Sequence, residues 1–410
     1  MSMREDAQKI IHAAIRDALP DAAVARALNG YRFAPGKIVL VAAGKAAWQM
    51  AACASQILGS RIDRGVVVTK YDHSKGPIAN FRIVEAGHPV PDRNSFAGTQ
   101  EAIDLVRGLT EQDTVLFLLS GGGSALFEKP LIPEADLTDL TRQLLACGAD
   151  IVEMNTLRKR MSAVKGGRFA QLCAPARIFS IVLSDVLGDP LDMIASGPAY
   201  PDSTSAADAR AVVEKYHLQL THQMEQLLDQ ETPKQLDNVD TRITGSVRQL
   251  CTSVAQTCRE LGYTPIVLTD CLDCEARQAG SVLAAIARTA AQGCESVAYI
   301  AGGETVVHLT GKGLGGRNQE LALSAAAGIA GLDNVLVFSL GSDGTDGPTD
   351  AAGGIVDQDT CAVLAQKGIS IHQVLQDNDA YHALQQVDGL IFTGATGTNV
   401  NDVSVLLVRR

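Results

Sequence analysis

From residue 37 onward, short apolar runs alternate with stretches of helical spacing. "KIVLVAAG" (37–44) is a run of strand formers, and "KAAWQMAACASQIL" (45–58) brings apolar residues back at three- and four-residue intervals. Strands "RGVVVTK" and "RIVEAG", helix "SFAGTQEAIDLVRGL" and strand "TVLFLL" follow. Next come helical stretches around "DLTDLTRQLLACGA" and "NTLRKRMSAVKGGRFAQLC", strand "RIFSIVLSD", and helices "SAADARAVVEKYHL" and "HQMEQLLDQ". Val, Ile and Leu runs without polar alternation predict strands buried on both faces, as in a parallel sheet covered by helices.

The polar segment "QETPKQLDNVD" (230–240) contains Pro233, resets the pattern and reads as a linker. A second alternating series begins with helix "SVRQLCTSVAQTCRELG" and strand "TPIVLTD". Helix "EARQAGSVLAAIARTAAQG", strand "SVAYIAGGE", helix "RNQELALSAAAGIA" and strand "NVLVFSLGSDG" continue it, and strands "GLIFTG" and "VSVLLV" close it after helices within 360–387. The expected architecture is α/β: a Rossmann-like domain with Gly-rich loops over 1–235 and a second α/β domain over 236–410, both with largely parallel sheets. Ahead of them, Glu5 to Leu28 has helical spacing broken near Pro20.

Composition narrows the function classes. A 410-residue chain exceeds the size at which one hydrophobic core usually stops growing, which supports two domains. A formal charge of -11 argues against a general nucleic-acid surface, so any anion site must be local. No apolar run reaches the length of a membrane span and the N-terminus lacks a hydrophobic signal core, so the expected location is the cytoplasm. Nine scattered cysteines fit reduced packing thiols; the lone C-x-x-C of Cys271 and Cys274 lacks a second pair or a nearby His for zinc.

The chemistry gathers where strands end: Gly44-Lys45, Ser120 to Ser124, Ser184-Asp185, Gly303-Glu304 and Ser342-Asp343. In an open α/β sheet such ends share one edge. Lys45 stands at a strand-to-helix turn, where backbone N–H groups favour an anion; a solvated lysine fits the sequence equally well. It is no Walker A lysine, because Val39 replaces the first glycine and Ala46 the Ser or Thr. "SGGGSAL" reads either as a backbone cradle for phosphate or carboxylate oxygens or as a plain tight turn. "VKGGR", with Lys165 and Arg168, reads as an anion loop or a Gly-capped helix end.

Asp185, Asp189 and Asp192 follow one strand, and Asp343, Asp346 and Asp350 another. They suit a hydrated Mg²⁺, a base near a hydroxyl, or simple Asx-turns. Gly311, Gly313 and Gly316 spell G-x-G-x-x-G ahead of a helix, which keeps a dinucleotide-dependent reductase in view, although "ETVVHLTG" is short and polar where that fingerprint needs a buried strand. Arg317 suits a phosphoryl or carboxylate clamp, or an exposed helix position. His88, in "GHPVPD", reads as a structural histidine ahead of a catalytic base.

Taken together, "VAAGKAA", "GHPVPD", "LLSGGGSAL", "NTLRKRMSAVKGGR", "LSDVLGDPLDMIASGP", "GGETVVHLTGKGLGGRNQELAL", "GSDGTDGPTDAAGG" and "TGTNVND" resemble, in order, the motifs of the glycerate 2-kinases with a C-terminal MOFRL domain, often labelled hydroxypyruvate reductases. The one departure is Ala395, at a position often occupied by Pro. The resemblance implies two α/β domains with the active site in the cleft between them, and ATP- and Mg²⁺-dependent phosphorylation of D-glycerate at its 2-hydroxyl. It implies catalytic roles for Lys45 and Arg317. On this reading Asp189 joins them, orienting the hydroxyl or the metal, and Asp185 and Asp343 are the candidate Mg²⁺ ligands. Ser120, Gly121, Gly122, Gly123, Ser124, Lys165, Glu304, Asn318 and Asn399 are the candidate substrate- and ATP-binding residues. The alternative is an NAD(P)H-dependent hydroxypyruvate reductase. Expected partners are D-glycerate and ATP, without nucleic acid or membrane, and a homodimer is an assembly the sequence allows.

Overall fold

Every residue of Ile38–Ala43 and Thr114–Leu119 is buried. In the computed structural model, which describes residues 2–410, these are the central strands of the first of two sheets. That sheet holds β1 (Ile38–Ala43), β2 (Ile62–Lys70), β3 (Phe81–Ala86), β4 (Thr114–Leu119), β5 (Arg177–Leu183) and β6 (Val239–Gly245) in the order β3-β2-β1-β4-β5-β6. The pairings β1 with β2, β2 with β3, β1 with β4 and β4 with β5 are parallel.

Alternate residues serve opposite faces. Val39, Val41, Val115 and Phe117 pack with Phe127 and Phe169, whereas Leu40, Ala42, Leu116 and Leu118 pack with Met50 and Phe179. This double burial explains the unbroken apolar runs. The chain builds outward from β1 to β3 and then crosses to β4, so the order reverses between β1 and β4. Ligands in open α/β sheets bind at that switch point, beyond the strand carboxyl ends.

Strand β6 is absent from the sequence expectation, because "VDTRITG" is mostly half-exposed and carries no apolar run. Nor is 230–240 a free linker. Thr232 Oγ1 donates to Asp202 at 2.7 Å, Asp202 N donates to Pro233 O at 2.9 Å, and Ile178 N donates to Asn238 O at 2.7 Å. Asp202 also pairs with Lys159 Nζ at 2.9 Å and faces Arg160 Nη1 at 3.6 Å, with all three side chains fully buried. Burying charge is costly unless each group is partnered, so this cluster fixes the path of three segments at once.

The second sheet holds β7 (Thr264–Leu272), β8 (Val297–Gly303), β9 (Val335–Gly341), β10 (Gly353–Asp357), β11 (Leu390–Ile391) and β12 (Asp402–Val408) in the order β11-β10-β9-β12-β8-β7. β7 and β8 pair in parallel, but β12 runs antiparallel to both β8 and β9, and β10 antiparallel to β9 and β11. Strands β7, β8, β9 and β11 therefore share one direction and β10 and β12 oppose it. β10 carries no strand signal, because its "GGIVD" sits inside a Gly- and Asp-rich stretch.

Compact packing divides the chain into Ala23–Thr244 and a unit combining Met1–Ala22 with Gly245–Arg410, so the boundary differs from 235/236 at both ends. The opening helix Met3–Ala18 packs on helix Val247–Glu260. Asp17 accepts from Ser253 at 2.7 Å and Asp6 from the Tyr263 hydroxyl at 2.9 Å, contacts that draw the N-terminus to the second unit. Among the described residues no helix is long and apolar enough to cross a membrane.

Asp202→Ala leaves Lys159 and Arg160 buried without their main counter-charge. Urea unfolding should show a loss of about 3–5 kcal/mol. Removing Glu101 from its exposed pair with Arg82 should cost about 0–1 kcal/mol. Equal effects would contradict the assignment.

Candidate functional site

At the switch point the loops after β1 and β4 touch. Gly44 has φ 126°, and a Cβ there would collide with Ser120, so only glycine permits the approach. The contact is held by Lys45 N donating to Gly121 O at 2.8 Å and Ala46 N donating to Ser120 Oγ at 3.0 Å. Thr69 Oγ1, on β2, braces Gly44 O at 3.1 Å. Lys45 is thus fixed through its backbone, while its ammonium has no hydrogen-bond or ion-pair partner among the described residues.

The three glycines each make room for something. A Cβ on Gly121 would strike the Asp185 carboxylate; one on Gly122 would lie 3.0 Å from the His88 ring and 3.2 Å from Lys45 Cγ; one on Gly123 would lie 2.6 Å from Ala195 Cβ. Gly122 has φ 86°, opening the short helix Gly123–Leu126. The Gly121 and Gly122 amides donate to no acceptor among the described residues. Two uncommitted N–H groups and a lysine with an uncommitted ammonium therefore belong to touching loops at one strand edge, an arrangement suited to an oxyanion.

Lys165 supports this loop from beneath and is fully buried. Its Nζ donates to Ser124 O at 2.8 Å and Phe127 O at 3.0 Å and pairs with Glu128 at 3.3 Å. Burial pulls its pKa down to about 8 despite Glu128. These three partners commit its ammonium to supporting the loop. Ser124 Oγ bonds Ser196 Oγ at 3.2 Å, and Ser196 donates to Asn155 at 2.8 Å, which anchors the loop's far end.

Asp189 takes φ 53°, rare for a residue with a side chain, and its Oδ1 is buried without a partner. Such an atom is costly to leave unsatisfied and is a natural ligand-facing group. His88 stands close to Gly122 and Lys45. Burial, then Lys45, Lys70 and His73, hold its pKa below the usual imidazole value, which favours a neutral ring at neutral pH.

The second unit gathers a different set at the ends of β8 and β9 and the start of β12. Arg317, first residue of helix Arg317–Ile329, donates to both Asp402 oxygens, Nε at 2.5 Å and Nη2 at 3.0 Å, and through Nη1 to Glu304 at 3.0 Å. Burial works against its charge, but Asp402 and Glu304 prevail and raise its pKa. Burial also raises Asp402, with Arg317 opposing. The fork expected to clamp a ligand is therefore already engaged, with N–H groups on Nη1 and Nη2 left over.

Asp346 occupies the start of the same helix, accepting from Asn318 N at 3.1 Å and Gln319 N at 2.9 Å. Burial pushes it up to about 7 in spite of these donors. Asn318 is buried, its Nδ2 donating to Asp346 at 3.3 Å and its Oδ1 accepting from Ser339 at 2.6 Å, so it ties the helix to β9. Asp343 accepts from Thr345 N at 3.0 Å and Asn399 from Asn401 N at 3.1 Å, both turn-type contacts. No group of three His, Cys, Asp or Glu fit for a metal ion occurs among the described residues.

The G-x-G-x-x-G stretch has no strand leading into it. Gly311 N donates to Asn378 and Gly313 N to Asp377 O, so this loop packs against its own unit and not a pyrophosphate. Sequence reading missed Asp402, an acid opening an apolar strand, and did not separate Asp346 from the other two acids of its loop. It also missed Arg158, within the cationic run "RKR", whose Nη2 donates to Ser124 O at 3.2 Å.

Fold and site together define a two-unit α/β protein with a glycine loop at the switch point of its first sheet. Residues 6–229 match the family described as a domain of unknown function (DUF4147), and residues 297–402 match the MOFRL family. D-glycerate 2-kinase of Thermotoga maritima is 49% identical over 99% of both chains. A putative hydroxypyruvate reductase of Agrobacterium vitis is 39% identical over 91% of this chain and all of its own. The crystal structure of glycerate kinase from Thermotoga maritima superposes with TM-score 0.94, at 48% identity over 99% of each chain. The chain belongs to the glycerate 2-kinase family with a C-terminal MOFRL domain.

An aspartic carboxyl ordinarily ionises near 3.9. From there to the Asp346 value of about 7, the unfolded chain has released a proton that the folded chain retains, so stability falls as pH rises. Melting curves from pH 5 to pH 8 should show a decline that Asp346→Asn reduces; parallel curves would remove Asp346 as the source.

Proposed function

We propose that this chain is a D-glycerate 2-kinase, transferring the terminal phosphoryl group of ATP to the 2-hydroxyl of D-glycerate. The observation that carries the reading is the 49% identity to D-glycerate 2-kinase over 99% of both chains. The glycine loop and Lys45 supply what the reaction requires. Phosphoryl transfer has little covalent chemistry for a protein to perform and depends on alignment and charge neutralisation.

Lys45 is assigned to the transferring phosphoryl group, because its ammonium has no partner among the described residues and its Cγ lies close to Gly122, in the loop whose Gly121 and Gly122 amides are also uncommitted. These donors are in place before the reaction and need no reorganisation as charge shifts. Arg317, steadied by Asp402, is assigned to the glycerate carboxylate through its remaining N–H groups. Asp189 Oδ1 is assigned to the substrate hydroxyl or to water on a metal ion.

The residues fit Mg²⁺, which keeps most of its water and needs only one or two carboxylates besides phosphate oxygens. Asp189 has an unsatisfied buried oxygen and Asp185 lies against the loop, so these two would hold it. When bound, the ion neutralises charge on the phosphates. Asp343 and Asn399, occupied in turns, are less suited to ligand contact. The reductase reading loses its main sequence support, since Gly311, Gly313 and Gly316 lack the strand-turn-helix setting that a pyrophosphate requires.

Purified protein should form ADP from MgATP only when D-glycerate is present, and should not oxidise NAD(P)H with hydroxypyruvate; the reverse pattern overturns the proposal. Lys45→Ala should lose about 10²-fold or more in kcat while keeping its unfolding midpoint. Arg317→Ala should lose turnover and also about 3–5 kcal/mol of stability, since it strands Asp402. Near-normal kcat in either variant removes that residue from the mechanism.

A further inference from the structure

A cavity of about 630 Å³ opens beside the glycine loop of the first unit, within the range that encloses a ligand of nucleoside size. Pro89, Val90, Pro91, Phe96, Leu137 and Leu145 form its apolar walls. Val90 and Leu145 are 68% and 66% exposed, so large apolar side chains stand open at one place on the surface. Thr138 and Thr141 also line it. Their hydroxyls donate to helix carbonyls at 2.9 and 2.8 Å, which leaves oxygen lone pairs to accept from a ligand.

Two connections join this cavity to the anion loop. Pro89 directly follows His88, whose ring packs on Gly122. Arg158 lines the cavity and reaches Ser124 O. The remainder of its charge is unanswered: it makes no ion pair among the described residues, and its Nε is buried without a hydrogen-bond partner. An unsatisfied buried guanidinium donor is costly, and a phosphate oxygen is the acceptor that relieves the cost best.

From one end to the other the order is apolar walls, a cation without an ion-pair partner, and the glycine loop with Lys45. A nucleoside triphosphate has the complementary order, a flat heterocycle followed by a chain of phosphates. We infer that this cavity takes the adenosine end of ATP, with Arg158 on the α- or β-phosphate and the γ-phosphate delivered to Gly121–Gly123 and Lys45. The inference rests on the kinase reading and adds the nucleotide's position to it.

Calorimetric titration of the full chain with ADP, adenosine and inorganic triphosphate tests it. Thr138 is exposed on helix Glu134–Ala146, so Thr138→Trp fills the cavity without entering the core, and Val90→Asp offers a second variant at the mouth. Both should weaken ADP and adenosine about tenfold or more and leave triphosphate unchanged. Arg158→Met should weaken ADP and triphosphate about tenfold or more and leave adenosine unchanged. Wild-type affinity for ADP in both cavity variants overturns the inference, as does self-association that Thr138→Trp abolishes while ADP binding is untouched. A wild type that binds ADP in this pattern but never phosphorylates D-glycerate removes the kinase reading and leaves the nucleotide cavity standing. A wild type that phosphorylates D-glycerate while its cavity variants bind ADP normally does the opposite.

Discussion

The candidate site of the first unit depends on one close approach, the loop after β1 against the loop after β4. The parallel pairing of β1 with β4 brings the two strand ends level, with Ala43 opposite Leu119. Gly44 then lets Ser120 come nearer than any side chain would allow. Their hydrogen bonds fix the Lys45 backbone and hold the glycine loop in register with it. Lys165, Ser196 and Thr69 all brace this junction, and each does so by satisfying a backbone or hydroxyl group. Function at this edge is thus a property of strand pairing, transmitted through a few atoms without side chains.

The two units handle positive charge in opposite ways. In the first, the Lys45 ammonium, the Arg158 Nε and the Gly121 and Gly122 amides are left without partners among the described residues, so an incoming anion is favoured there. In the second, Arg317 is neutralised by Asp402 and Glu304, and its geometry is rigid because a buried carboxylate holds two of its nitrogens. A free cation suits a group whose charge moves during reaction. A pre-oriented one suits a fixed carboxylate, because its orientation is settled before the ligand arrives.

Much of this was readable in the residues. Strands buried on both faces, such as β1, β4 and β9, announce themselves as apolar runs, and the strand-end rule then gathers Lys45, Ser120 to Ser124 and Asp185 at one edge. β6 and β10 escaped because an edge strand with polar residues and a strand beginning Gly353-Gly354 carry no such run. Burial of charge was the larger gap. Lys159, Arg160 and Lys165 are as polar as any surface cation, and only the tertiary positions of Asp202 and Glu128 explain why they lie inside. The setting of Asn318 was hidden for the same reason, since nothing local signals that its amide bonds Asp346 and Ser339.

On the proposed function, the loop junction directs a phosphoryl group to the 2-hydroxyl of D-glycerate. Phosphorus NMR of the product formed from D-glycerate and MgATP tests it most directly. A single new phosphomonoester identical to authentic 2-phosphoglycerate is expected. A 3-phosphoglycerate resonance, or no phosphorylated glycerate at all, would contradict it.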